Sequence, residues 1–248
     1  MATARHPAPT TPDEIDLEGE NRRLEEASPG DVLRWAWQTF GPNIVASSSF
    51  QGQSVPLLHL ISTSAPELPV LFLDTGFHFQ ETLAFRDQLV DDFGLNLAIL
   101  HPSMGHDGFR RRYGDLYRGD PDLCCYLNKV EPMERALEGQ RAWISGIRRD
   151  QSPTRAQTPI VSRLDSGLYK VCPMATMTRR DVADYAQRHG FADHPLLAKG
   201  YVSIGCAPCT RPVWDDGEGE SERAGRWTGS DKTECGLHTD LGKDRRGR

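Results

Sequence analysis

Apolar positions along the chain fall into short blocks, and the spacing within them alternates between helical periodicity and continuous runs. Residues 17–26 carry a charged helix. Ser28-Pro29-Gly30-Asp31 reads as a helix start, with Ser28 as N-cap, Pro29 in the first turn and Asp31 as the capping-box acid. That helix runs to about Phe40 and stops at Gly41-Pro42. Ile44-Val45-Ala46 is a short strand, followed by a Ser/Gly loop over residues 47–54 and a helix from Val55-Pro56 that carries Leu57, Leu58, Leu60 and Ile61. Residues 70–73 form an uninterrupted apolar run, as a buried parallel strand requires. A helix over residues 80–93 and a strand over 95–100 follow. The β-α-β-α-β order predicts an α/β fold, a mainly parallel sheet flanked by helices on both faces.

The pattern then loosens. Residues 101–120 are polar, with Gly and Arg, and read as a surface segment. Residues 123–137 have helical periodicity, and 142–146 form a strand that ends in Ile147-Arg148-Arg149-Asp150-Gln151-Ser152-Pro153-Thr154-Arg155. Residues 160–162 and 168–171 suit short strands. Thr178-x-x-Asp181 is a capping box opening a helix to about His189. The sequence therefore divides into a Pro/Thr/Ala-rich disordered N-terminus (1–16), an α/β domain (17–210) and a mobile tail poor in apolar blocks (211–248).

Net charge changes the picture in one respect. At -6 over 248 residues, the surface as a whole repels nucleic acid, so a basic site must be local and suited to a small anion. The N-terminus has no apolar core of the signal-peptide kind, and no run is long enough to span a membrane, so a cytoplasmic protein is expected. In a reducing compartment the six cysteines read as metal ligands or catalytic thiols rather than disulfides.

Four of those thiols come in two pairs, Cys124-Cys125 and Cys206-Ala207-Pro208-Cys209. Such a set suits zinc or an iron–sulfur cluster. Adjacent cysteines on a helix diverge by about 100°, so both reach one centre only if the helix is distorted or the centre is large, which favours a cluster. Buried structural cysteines beside a redox Cys-x-x-Cys, or a vicinal disulfide, remain the alternative. Cys172, between Val171 and Pro173, reads as a buried filler. Cys235 stands apart in Glu234-Cys235-Gly236-Leu237-His238, downstream of Arg223-Ala224-Gly225-Arg226-Trp227, and is a candidate nucleophile. Arg148, Arg149 and Arg155 follow a strand end, where α/β sheets bind ligands, and with Lys129 they could neutralise a dianion; a solvated basic loop is the competing reading. The loop after the first strand presents backbone N–H groups as phosphate sites do, but no Gly-Lys-Ser/Thr of a Walker A motif follows.

Taken together, these motifs resemble the assimilatory sulfonucleotide reductases, most of all the iron–sulfur-containing adenylyl-sulfate (APS) reductases. The resemblance runs from about Val32 to Leu241 and rests on Leu73-Asp74-Thr75-Gly76, Cys124-Cys125 with Lys129, Gly146-Ile147-Arg148-Arg149-Asp150-Gln151-Ser152, the cysteine stretch from Gly200 to Thr210, Arg223-x-x-Arg226-Trp227 and Glu234-Cys235-Gly236-Leu237-His238. It implies an adenine nucleotide alpha-hydrolase-like fold, and a [4Fe–4S] cluster on Cys124, Cys125, Cys206 and Cys209 with Cys235 as nucleophile. It also implies phosphosulfate contacts from Lys129, Arg155, Arg223, Arg226 and His238, and adenosine contacts from Ser48, Ser49, Phe50, Leu73, Thr75 and Gly146. The implied reaction is thioredoxin-dependent reduction of APS to sulfite and AMP, with thioredoxin or a glutaredoxin-like protein as reductant. A homo-oligomer is compatible with the sequence. The first loop departs from the family: it reads Ser-Ser-Phe-Gln-Gly-Gln-Ser where members often carry Gly-Ala-Glu-Asp.

Three other readings compete. A 3′-phosphoadenylyl-sulfate (PAPS) reductase shares the fold, but members using that substrate typically lack the four cluster cysteines. An ATP pyrophosphatase of the same fold needs acidic loop residues that are absent here. An iron–sulfur redox sensor on nucleic acid has the wrong net charge for this chain and no helix-turn-helix signal to support it.

Overall fold

The computed structural model describes residues 15–213, 225–228, 232, 234–238 and 241. Helices α1 (Leu17–Leu24) and α2 (Pro29–Phe40) precede the first strand, β1 (Ile44–Ser47). The Ser28 hydroxyl accepts from the Asp31 amide at the start of α2, and Gly41, at φ +56°, closes it. Then come α3 (Val55–Ser64), β2 (Val70–Leu73), α4 (Gln80–Phe93) and β3 (Leu97–Leu100). Gly94 ends α4 in the left-handed conformation.

The segment read as polar surface contains two helices, α5 (Gly105–Tyr113) and α6 (Leu116–Gly119). Buried Phe109 anchors α5, while Arg110, Arg111 and Arg112 fill its last turn. The helix expected over residues 123–137 is three pieces: α7 (Pro121–Cys125), a π-helical turn (Tyr126–Val130) and α8 (Glu131–Leu137). The wide turn begins directly after the paired cysteines, so the helix is distorted at that point. Strands β4 (Ala142–Ser145), β5 (Val161–Arg163) and β6 (Tyr169–Val171), and helix α9 (Arg179–His189) with its Thr178/Asp181 capping box, complete the fold.

The strand order is β3-β2-β1-β4-β6-β5. All pairs are parallel except β5 with β6. The chain steps outward from β1 to β3, then returns to lay β4 on the other side of β1, with Ile44 opposite Ala142 and Ser47 opposite Ser145. This reversal leaves a crevice at the carboxyl ends of β1 and β4, where open α/β sheets bind ligands. Alternation along the strands builds a core on each face. Ile44, Ala46, Val70, Phe72, Ala142 and Ile144 share one cluster, and Val45, Leu71 and Trp143 join Met133 and Leu137 in the other.

The described part of the tail lies against this body. The Trp227 amide donates to the Cys209 carbonyl at 3.1 Å, Arg226 bridges Thr210 in antiparallel fashion, and Leu237 packs into the second core. Among the described residues no helix is long and apolar enough to cross a membrane.

Candidate active site

A cleft of about 180 Å³ opens at the carboxyl ends of β1 and β4. Its walls bring together residues far apart in sequence: Ser48 and Ser49 after β1, Leu73 at the end of β2, Gly146 after β4, and Lys129, Arg155, Arg226, Cys235 and His238. Nine of the sequence-predicted contacts therefore share one cavity. Gly146 leaves room for a neighbour, since a Cβ there would sit 3.1 Å from the Leu57 side chain.

Two predicted contacts lie elsewhere, Phe50 and Thr75. The Phe50 side chain is buried in the core against Phe72, and its backbone turns at φ +52° with its amide on the Ser48 hydroxyl. Thr75 faces the cysteines: its hydroxyl lies 3.3 Å from Cys206 Sγ. Arg223 is outside the described residues. Of the strand-end arginines, only Arg155 reaches the cleft. Arg148 is buried and pairs with Asp150 at 3.0 Å, while Arg149 pairs with Glu25.

Cation placement gives the cleft its character. Burial works against the Lys129 ammonium, but the neighbouring Cys206, Cys125 and Cys235 sulfurs outweigh it and raise its pKa, so Lys129 stays charged. The Arg226 guanidinium lies 4.5 Å from the Trp227 ring centre and donates to the Ile204 carbonyl at 3.4 Å. It also crosses Gly205 so closely that a Cβ at that position would collide with it. His238 stacks on Trp143, with centres 5.5 Å apart and planes 5° from parallel, and Trp143 donates to Ser47 Oγ at 2.8 Å. Cys235 is half-buried on the wall beside these groups.

Several cleft residues escaped the sequence reading. Ser145, at the end of β4, is buried with no partner for its hydroxyl among the described residues. His78 is bound through Nε2 to the Leu73 carbonyl at 2.8 Å, and burial lowers its pKa. Glu234 pairs with Arg155. Ser145 and Glu234 could have been suspected from their motif neighbours, Gly146 and Cys235; His78 carries no such signal.

Next to the cleft, a smaller cavity is lined by Cys124, Cys125, Cys206 and Cys209, with Thr75, Phe77, Asn128 and Trp227. Burial and the neighbouring Cys125, Cys206 and Cys209 sulfurs push Cys124 up to about 12, and burial and Cys206 push Cys209 up to about 11. The Asn128 amide approaches Cys124 Sγ at 3.7 Å. Four sulfurs close enough to repel one another as thiolates, with hydroxyl and amide donors turned toward them, fit a soft metal centre. Cys172 is buried elsewhere, in the first core cluster.

Sheet order and switch-point cleft together define the class, an α/β fold with a mostly parallel six-stranded sheet flanked by helices. The Candida glabrata FMN adenylyltransferase complexed with FAD and pyrophosphate shares that fold at a TM-score of 0.58 and 17% identity, covering 90% of this chain and 81% of its own. Within the class, the chain belongs to the phosphoadenosine phosphosulfate reductase domain family, whose model matches residues 43–212. It is 46% identical to the adenosine 5′-phosphosulfate reductase of Streptomyces coelicolor over 223 residues, 89% of this chain and 92% of that protein. It is 41% identical to the Halalkalibacterium halodurans adenosine 5′-phosphosulfate reductase over 228 residues, 91% of this chain and 97% of that protein. The phosphoadenylyl-sulfate reductase of Candida auris, solved as a phosphate complex, superposes with a TM-score of 0.71 at 29% identity, covering 80% of this chain and 98% of its own.

Proposed function

We propose that the protein reduces adenylyl sulfate to sulfite and AMP in the cytoplasm, as a step of sulfate assimilation. The observation that carries this reading is the placement of Cys235 in one cleft with Lys129, Arg155, Arg226 and His238. The sulfuryl sulfur of APS is an electrophile bonded to a phosphate oxygen, and both groups are anionic. Cations must screen them before a thiolate can approach. Cys235 Sγ attacks that sulfur, an S–S bond forms, the S–O bond to phosphate breaks, and AMP leaves with the bonding pair. An S-sulfocysteine remains. A thiolate of thioredoxin, or of a glutaredoxin-like protein, attacks Cys235 Sγ and expels sulfite. The second thiol of that dithiol resolves the mixed disulfide and supplies the remainder of the two electrons.

In this reading Ser48, Ser49, Leu73 and Gly146 hold the adenosine end at the strand ends, with the backbones of Phe50 and Thr75 completing the loops there. Arg223 and Arg226 close on the phosphosulfate from the tail. Cys124, Cys125, Cys206 and Cys209 would hold a [4Fe–4S] cluster, whose contribution when bound is structural and electrostatic. The Thr75 hydroxyl then orients the Cys206 sulfur, and Lys129 stands between the four sulfurs and the cleft.

Likeness to the Candida auris enzyme favours a second substrate, PAPS, so the deciding assay gives anaerobically prepared protein APS and PAPS side by side and measures sulfite. Release from APS in preference to PAPS is expected. Sulfite from PAPS alone would transfer the assignment to the second substrate, and sulfite from neither would refute the reading.

A further inference from the structure

Among the described residues, one cluster outside the cleft and the cysteine cavity gathers side chains able to hold a metal. Strands β2 and β3 run in register, Leu73 opposite Leu100, so Asp74 and His101 leave adjacent strands side by side. The Asp74 amide donates to the Leu100 carbonyl at 2.8 Å and fixes that level. His106 arrives from the first turn of α5, which Gly105 starts at φ +66°. Its ring packs against Gly76, where a Cβ would come within 2.7 Å of the imidazole.

His106 Nε2 is 2.8 Å from the Asp74 carbonyl oxygen, 3.4 Å from His101 Nδ1 and 3.6 Å from Asp74 Oδ1. His106 Nε2–H donates to the Asp74 carbonyl, and Asp74 Oδ1 accepts from the Gly76 amide at 2.9 Å, so an ion bound by Nε2 would replace the first of these bonds. The separations suit a different occupant. Zinc bonds of about 2.0–2.2 Å to nitrogen and oxygen place tetrahedral ligand atoms roughly 3.3–3.6 Å apart. The donor atoms of Asp74, His101 and His106 all lie within 4.8 Å of one another.

We propose that Asp74, His101 and His106 form a metal site separate from the cysteines, taking a divalent first-row transition ion through two imidazoles and a carboxylate. The donor set suits zinc, and three protein ligands leave a fourth position for water. Neighbouring arginines hold the segment in place: Arg110 donates to the Gly76 carbonyl and Arg135 to the His101 carbonyl, each at 2.9 Å. Asp74 and His106 are half-buried while His101 is exposed, which gives an ion an entry path. An ion on Asp74 would brace the strand end that carries Thr75, whose hydroxyl meets Cys206.

The test counts bound zinc on the full-length protein by equilibrium dialysis at micromolar free zinc. Wild type should hold one zinc per chain more than His101→Ala or His106→Ala, whatever the cysteines carry. Zinc should raise the unfolding temperature of wild type and not of either variant. His101 is exposed, so its truncation leaves the fold intact, which circular dichroism verifies. Equal zinc counts in wild type and His101→Ala, or wild-type binding only at millimolar zinc, would overturn the proposal. Because the readout is a difference in zinc, it stands or falls independently of sulfite release.

Discussion

Arg155 and Glu234 hold each other through two parallel hydrogen bonds, Nε and Nη2 donating to the two carboxylate oxygens at 3.0 and 2.9 Å. Their side chains are only 10% and 12% exposed, so the pair is a buried tether between the segment after β4 and the residue next to Cys235. Glu234→Gln keeps the shape and removes the charge. A charge-assisted bond of this kind contributes about 1.5–3 kcal/mol. Amide exchange at residues 234–238 should therefore speed up by roughly 10- to 100-fold, with the exchange of β1 and β4 unchanged. Unaltered exchange at Cys235 would show that the tether does not hold the tail.

Arg226 can be tested in two ways. Arg226→Ala removes the guanidinium, and Gly205→Ala adds a Cβ where that guanidinium lies, forcing it aside. Both should lower kcat/KM for APS by about 10- to 100-fold, the equivalent of one charge-assisted contact. Lys129→Ala should do the same, since its charge persists at neutral pH. Wild-type efficiency in all three variants would remove the cations from the account.

Metal loading at the four thiols should release protons. With Cys124 at about 12 and Cys209 at about 11, burial keeps them protonated at neutral pH until a metal displaces the protons. Affinity should thus weaken as pH falls. Anaerobic protein should carry about four irons per chain, as a cubane on four cysteines requires. Replacing Cys124, Cys125, Cys206 or Cys209 with Ser should lose iron and activity together. Stoichiometric zinc with no iron would contradict this.

Acid stability should depend on His194. It is buried, accepts from the Leu196 amide through Nδ1 at 3.1 Å and meets Thr82 through Nε2 at 3.2 Å, an arrangement for the neutral ring. Burial lowers its pKa to about 4. Below the ordinary value near 6.5, the unfolded chain takes up a proton that the folded chain refuses. Stability is full above that value and falls as pH drops towards 4, by at most ~3 kcal/mol. His194→Gln should flatten this part of the pH profile of urea unfolding. An unchanged profile would assign the acid sensitivity to other groups.

How far the sequence could be read depended on whether a signal was local. The Ser28 and Thr178 caps, and the apolar runs of β1, β2 and β4, are local signals, and each lies where its pattern put it. Helix α5 was invisible because a single buried apolar residue, Phe109, holds it. The π-helical turn could be anticipated only as a need for distortion, since apolar spacing continues through Tyr126–Val130. Arg148, Arg149 and Arg155 look equivalent in sequence. Their separation into a buried pair, a link to Glu25 and a cleft residue depends on partners up to 124 residues away. Gly205 reads as a turn glycine, and only the folded chain reveals that it makes room for Arg226.

The proposed intermediate is covalent, so the thiol itself is where it is tested most directly. Wild-type protein incubated with APS and no reductant should gain the mass of one SO3 group on the peptide carrying Cys235, and thioredoxin should remove it with release of sulfite. Cys235→Ser should retain its iron, bind APS and gain no such mass. An adduct on Cys172 instead, or sulfite released by Cys235→Ser, would contradict the account.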